Sequence, residues 1–323
     1  MSGPLIWLVE PFTHRFMQHA LIAIVLVGVI CGVTGTFVTL RGLAFMGDAL
    51  THAIFPGVVI AFILGANFLI GALVAAVLVS LGIGVVSQSG RLSNDTTIGV
   101  LFAGAFALGV ALISAQRSYA RDVTSFLFGS ILGVSQADLL LTTGVGAIVL
   151  GAMLLFRREL IAVAFDRTFA AASGLHLWRW DQLFLLLLSL AIVVSLQTVG
   201  TILVLAMLVT PAATARLLTD RLAMMTALAA AIGAASGVFG LLASYYLGVA
   251  SGASVVLIAT ALFALAFLFA PGAGVISTRI ARALHFGHPE RDLFPADDSG
   301  ADDSCAPPVV EPSRSVGRTR QSA

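Results

Sequence analysis

Lysine is absent from this sequence. All seventeen basic residues of the 323-residue chain are arginines, and a phosphate loop of the G-x-x-x-x-G-K-[ST] type needs its lysine to hold the terminal phosphates. The polypeptide therefore carries no such loop, and any ATP-driven work would require a hydrolysing partner. Charge of either sign is scarce: 10% of residues are charged, 59% are hydrophobic, and the mean hydropathy is +1.04. A soluble domain has about a quarter charged residues, so too little polar surface exists here to coat a globule in water. The net charge of +1 sets up no field that would attract nucleic acid. The two cysteines, Cys31 in an apolar run and Cys305 in a polar stretch, sit in settings too different to suggest a disulfide or a zinc site. No HExxH occurs, which leaves an intramembrane metalloprotease without its core motif.

What the chain does have is long apolar runs. A membrane-crossing helix needs about 20 mostly apolar residues, and such runs fall at about 19–40, 45–64, 68–88, 96–115, 132–156, 183–199, 200–215, 223–247 and 252–270. The stretch from Gln182 to Pro211 is nearly continuous and reads as two helices hinged near Thr198-Val199-Gly200. The expected fold is an all-α, polytopic membrane bundle of about nine helices, with eight and ten as the alternatives. Residues 1–18 hold Glu10, Pro11, His14 and Arg15 rather than a signal-peptide core. With Trp7 among apolar neighbours they read as an interfacial segment. Placing the 157–181 loop in the cytoplasm puts ten arginines inside, Arg41 and Arg167 among them, and three outside. That distribution follows the positive-inside rule, with the N-terminus out. Residues 19–286 form the expected transmembrane domain. From 287 to 323 an acidic cluster at 297–303, Pro307-Pro308 and scattered arginines lack apolar content, so a disordered cytoplasmic tail is expected.

Small residues recur at packing intervals: Gly28, Gly32 and Gly35 in the first span, and Gly233, Ser236, Gly237 and Gly240 in the eighth. In lipid such faces let helix backbones approach closely.

Three segments carry chemistry. In Met46-Gly-Asp48-Ala-Leu-Thr-His52-Ala-Ile-Phe-Pro56-Gly57, Asp48 and His52 are four apart and share a helical face. A carboxylate and an imidazole converging there suit Mn²⁺, Fe²⁺ or Zn²⁺, and ionisable groups inside a span are usually functional. The plainer reading has Asp48 capping the helix N-terminus and His52 hydrogen-bonding a neighbour. Pro56-Gly57 should break or kink the helix a turn later. The second segment, in the loop 157–181, reads as a short helix capped by Asp166 and ended by Gly174, with Phe165 and Phe169 on one face beside Arg167. It is either an apolar knob for a soluble partner or a helix flat on the headgroups. The third runs from Leu196 to Arg216, where Gly200 and Pro211 are hinge or kink candidates.

These segments resemble the zinc/manganese/iron ABC transporter permeases. The likeness rests on the Asp48–His52 block, the Phe165–Leu175 loop, Val199–Val204 through Pro211–Leu218, and Ser244–Ala253, and it covers roughly residues 10–272. The loop departs from the pattern: Arg167-Thr168 stands where the family often has Pro-Glu. The resemblance implies a type II-importer-like permease in the cell membrane, working as a homodimer. It implies two cytoplasmic ABC ATPase subunits as partners and an extracytoplasmic metal-binding protein that delivers the ion. The chain would be a conduit and not an enzyme, with the metal as substrate and no cofactor bound permanently. Asp48 and His52 would line the path, Phe165, Asp166, Arg167, Phe169 and Gly174 would couple to the ATPase, and Pro56, Gly57, Gly200 and Pro211 would serve gating. A permease for a metal chelate is the nearest alternative. An ion-coupled secondary transporter should show internal repeats and more buried carboxylates, and neither is evident.

Overall fold

The computed structural model describes residues 10–88, 94–115 and 131–270, all within one compact unit, Met1–Arg279. The expected tail at 287–323, the first nine residues and Arg91, Arg117, Arg121, Arg279 and Arg282 lie outside the described residues.

Among the described residues the chain is helical apart from short turns. A 3₁₀ turn, Glu10–Thr13, leads into α1 (Arg15–Leu40), so the first long helix takes in residues expected to lie at the interface. It is followed by α2 (Ala44–Ala53), α3 (Phe55–Ile63), α4 (Phe68–Gln88), α5 (Asn94–Ser114) and α6 (Gln136–Leu155). Two short helices, α7 (Arg157–Phe165) and α8 (Arg167–Ala172), precede α9 (Leu177–Val199), α10 (Thr201–Leu218), α11 (Leu222–Leu247) and α12 (Ser251–Phe269). With α2 and α3 counted as one broken span, nine helices among the described residues are long and apolar enough to cross a membrane. This is a multi-pass membrane protein. Helices α5 and α12 expose apolar side chains such as Val100, Leu108, Leu257 and Phe269, as a lipid-facing helix does.

The bundle is organised around α1. Ala20, Ile24, Val27, Ile30, Cys31 and Val38 are all buried, and α1 packs against α6 and α9 on one side and α10 and α11 on another. The small-residue stripes make this possible. A Cβ on Gly28 would lie 2.7 Å from the Gly233 carbonyl carbon, and one on Gly32 would lie 2.6 Å from the Ala229 carbonyl oxygen. Gly35 likewise abuts the Leu208 carbonyl. Backbones therefore touch along the α1–α11 and α1–α10 crossings.

The long apolar stretch divides where expected. Gly200 has φ 84° and ψ 168°, a region essentially closed to any residue with a Cβ, and it alone separates α9 from α10. The two helices then diverge: α9 packs on α4 and α6, while α10 packs on α11 and α12. Pro211 behaves differently from a helix breaker. Helix α10 continues through it, and Pro211 is buried. The hydroxyl of Thr214 donates to the Thr210 carbonyl at 2.7 Å, not to the Met207 carbonyl that a proline at 211 leaves without its amide donor.

Polar contacts tie helices together at the two ends of the bundle. At one end Arg41, Arg167 and Asp181 join the end of α1, the start of α8 and the start of α9. At the other end Gln197 near the end of α9 donates to Asp138 at the start of α6 at 3.1 Å.

Candidate metal centre

Helix α2 starts after a tight turn at Arg41–Leu43, in which Gly42 has φ 67°. Leu43 is its N-cap, without a side-chain hydrogen bond. Asp48 is therefore in mid-helix and does not cap it. Asp48 and His52 share a face as expected, with Oδ1 and Nε2 3.7 Å apart and side chains 35% and 32% exposed. An ion about 2.0–2.2 Å from each atom can bridge such a gap. The His52 ring lies against two aromatic rings of α5, 5.9 Å from Phe102 and 5.7 Å edge-on to Phe106. Those rings limit how the imidazole can turn, which keeps Nε2 toward Asp48.

The helix ends sooner than the proline suggested. The break comes at Ile54, and Pro56 sits in the first turn of α3, where its missing N–H costs nothing. Proline has no donor for the carbonyl four residues earlier, here that of His52. The His52 carbonyl takes the Ile54 amide instead, and the C-terminal end of α2, whose dipole favours a cation, falls beside His52. Gly57 is a packing residue: it and Gly71 of α4 each press against the other's carbonyl oxygen, leaving no room for a Cβ on either. Among the described residues no group of three or more His, Cys, Asp or Glu converges. One chain brings two ligands together at this face, so a full coordination shell would need donors from outside it.

The loop 157–181 differs from the single short helix expected. Asp166 adopts an extended conformation (φ −143°, ψ 98°) between α7 and α8, and its carboxylate accepts from the Phe169 amide at 2.9 Å. It caps α8 as anticipated, and Gly174, with φ 83°, closes it. Phe165 ends α7 while Phe169 belongs to α8, so the two do not share one helical face. Both are nevertheless bare, at 67% and 64% exposed.

Two features escaped the sequence reading. One is the Phe102–Phe106 pair, whose i, i+4 spacing was the available signal. The other is Asp181, which bonds Arg41 at 2.8 Å and Arg167 at 2.7 Å. Arg41 also lies over the Phe184 ring at 4.3 Å. Burial pushes its guanidinium below the ordinary arginine value, while Asp181 pulls it back up.

Residues 13–270 match the profile of the ABC 3 transport family. The chain is 49% identical to the manganese transport system membrane protein MntC of Halalkalibacterium halodurans, a match spanning 86% of this chain and 95% of that protein. It is 39% identical to the chelated iron transport system membrane protein YfeC of Yersinia pestis, over 87% and 96% of the two. Among solved structures it is similar to a chain of PsaBC from Streptococcus pneumoniae in complex with Fab. That likeness has a TM-score of 0.74 and 38% identity, and it covers 86% of this chain and 98% of that one.

Proposed function

This chain belongs to the ABC 3 transport family, and on that premise we propose that it is the membrane permease of an ATP-driven importer of divalent transition metal ions. The observation that carries the reading is the Asp48–His52 pair, two metal-type ligands on one face of a membrane-spanning segment. The ion is substrate, held weakly enough to leave again, as conduction requires. Two copies whose α2 faces meet would surround it with two carboxylates and two imidazoles. That set suits manganese, iron or zinc, and in a cell selectivity follows metal supply as well as geometry. The names of the relatives, manganese for one and chelated iron for another, support a metal cargo.

A cytoplasmic ATPase pair would supply energy, and an extracytoplasmic binding protein would deliver the ion. Because no lysine is present to build a phosphate loop, the purified chain should release no phosphate from ATP. Co-expressed with an ATPase subunit it should form a stable complex. Vesicles holding the full complex should accumulate radioactive manganese only when ATP is supplied. Phosphate release by the chain alone, or accumulation of a metal chelate in place of the free ion, would overturn the reading.

Exposed Phe165 and Phe169, with Asp166, Arg167 and Gly174 shaping the loop, would meet the ATPase. Changing Phe169 to Asp should weaken that docking by several kcal/mol, the cost of burying an unpaired charge in an apolar socket. A pull-down that recovers the ATPase at wild-type level with this variant would rule out the contact. For gating, the break at Ile54–Pro56 and the joint at Gly200 are the candidates that retain a hinge geometry. Gly57 is held against Gly71 and Pro211 lies buried inside α10, so any part they take in gating would be as fixed packing points.

A further inference from the structure

Three charged groups at the cytoplasmic end form one ion-paired chain, and each stands on a different part of the fold. Asp181, early in α9, accepts Arg167 on Oδ2 at 2.7 Å and Arg41 on Oδ1 at 2.8 Å. Arg167 is the first residue of the loop helix α8. Arg41 occupies the turn that enters α2, and Asp48 and His52 follow one and two turns after that helix begins.

The two links are unequal. Arg41 is only 8% exposed, and α9 grips it twice, through Asp181 and through the Phe184 ring beneath its guanidinium. The turn into α2 is thereby bound to α9. Arg167 is 57% exposed, so its pair with Asp181 is the weaker, water-screened link that forms and opens readily. A cavity of about 480 Å³ lies beside the chain, walled by Met46, Gly84 and Val163 as well as the three charged residues. It gives α8 room to shift without displacing the packed core.

We propose that Asp181 is the positioning residue through which movement of α8 is passed to the helix that carries Asp48 and His52, with Arg41 as its grip on that helix. The inference rests on the permease reading above. It adds a role for a residue outside both the proposed ion-binding pair and the proposed docking loop.

The test uses vesicles containing the complete complex, with manganese uptake and phosphate release measured together as ions carried per ATP. Arg167→Gln and Asp181→Asn should each lower that ratio by about tenfold, within the span of couplings between distant sites. The double variant should be no worse than Asp181→Asn alone. Asp181→Glu should restore the ratio to within about twofold, since the carboxylate bridge is kept. Should Asp181→Asn fail to assemble because Arg41 loses its partner, the exposed Arg167→Gln still decides, with co-purification of the ATPase at wild-type level separating a coupling loss from a docking loss. An unchanged ratio in Arg167→Gln, or independent multiplying losses in the double variant, would overturn the coupling role while leaving the permease reading intact. A wild-type complex that carries no metal would overturn both.

Discussion

Replacing either His52 or Asp48 with Ala is expected to cut ATP-driven manganese uptake by about a hundredfold or more, since even outer partners of a metal ligand are worth 10–100-fold in affinity. The two residues approach within 3.7 Å on one face of α2, and among the described residues no group of three or more metal ligands exists to replace them. Both are about one-third exposed in the single chain, so truncation leaves no large cavity and should cost little stability. Co-purification of the ATPase with each variant should therefore match wild type. Loss of assembly would turn the pair into a packing element, and wild-type uptake by both variants would remove it from the ion path. Phe106→Ala should have a smaller effect of the same kind. It frees the His52 ring on one side while keeping both ligands.

The largest expected effect on folding comes from Gly28→Leu. A Cβ there would meet the Gly233 carbonyl carbon at 2.7 Å and the Ala234 nitrogen at 2.8 Å. Both are backbone atoms of α11, so no side chain can swing aside. Because α1 is the element most of the bundle packs on, parting this crossing should cost about 3 kcal/mol or more, the upper end of overpacking penalties. Gly233→Leu should behave alike, since its Cβ would lie 2.6 Å from the Gly28 carbonyl oxygen. Gly144→Ala is the control: open space surrounds that position on α6, and the change should be neutral or stabilising by up to about 1 kcal/mol. Thermal unfolding and monodispersity in detergent would separate the three variants. A Gly28→Leu protein as stable as wild type would show that the crossing is loose.

The span count, the division at Gly200 and the shared face of Asp48 and His52 were legible because each depends on local rules: run length, a glycine at a joint, a four-residue interval. The glycine stripes were legible as packing faces too. That Gly28 and Gly233 face each other was not, because two stripes 205 residues apart carry no label of their partner. The same limit hid Asp181. Arg41 and Asp181 lie 140 residues apart, and in sequence both look like ordinary loop-end charges, of which the positive-inside rule sorts only the arginine. The Phe165–Phe169 face was misjudged for a different reason. Asp166 was recognised as a cap, yet a cap is itself non-helical, and an extended residue between the two phenylalanines cancels their four-residue interval.

The joint at Gly200 has a mechanical consequence. Helix α9 is a rod of 23 residues, about 34 Å long at 1.5 Å per residue, with Asp181 near one tip and a one-residue link at the other. Such a link has no slack to absorb motion. Any tilt imposed on the Asp181 tip must swing the opposite tip as a lever does, and must drag the head of α10 with it. Lengthening the link by a few flexible residues would leave both helices in place while cutting this transmission, so the shortness of the connection is itself a property on which the far membrane surface depends.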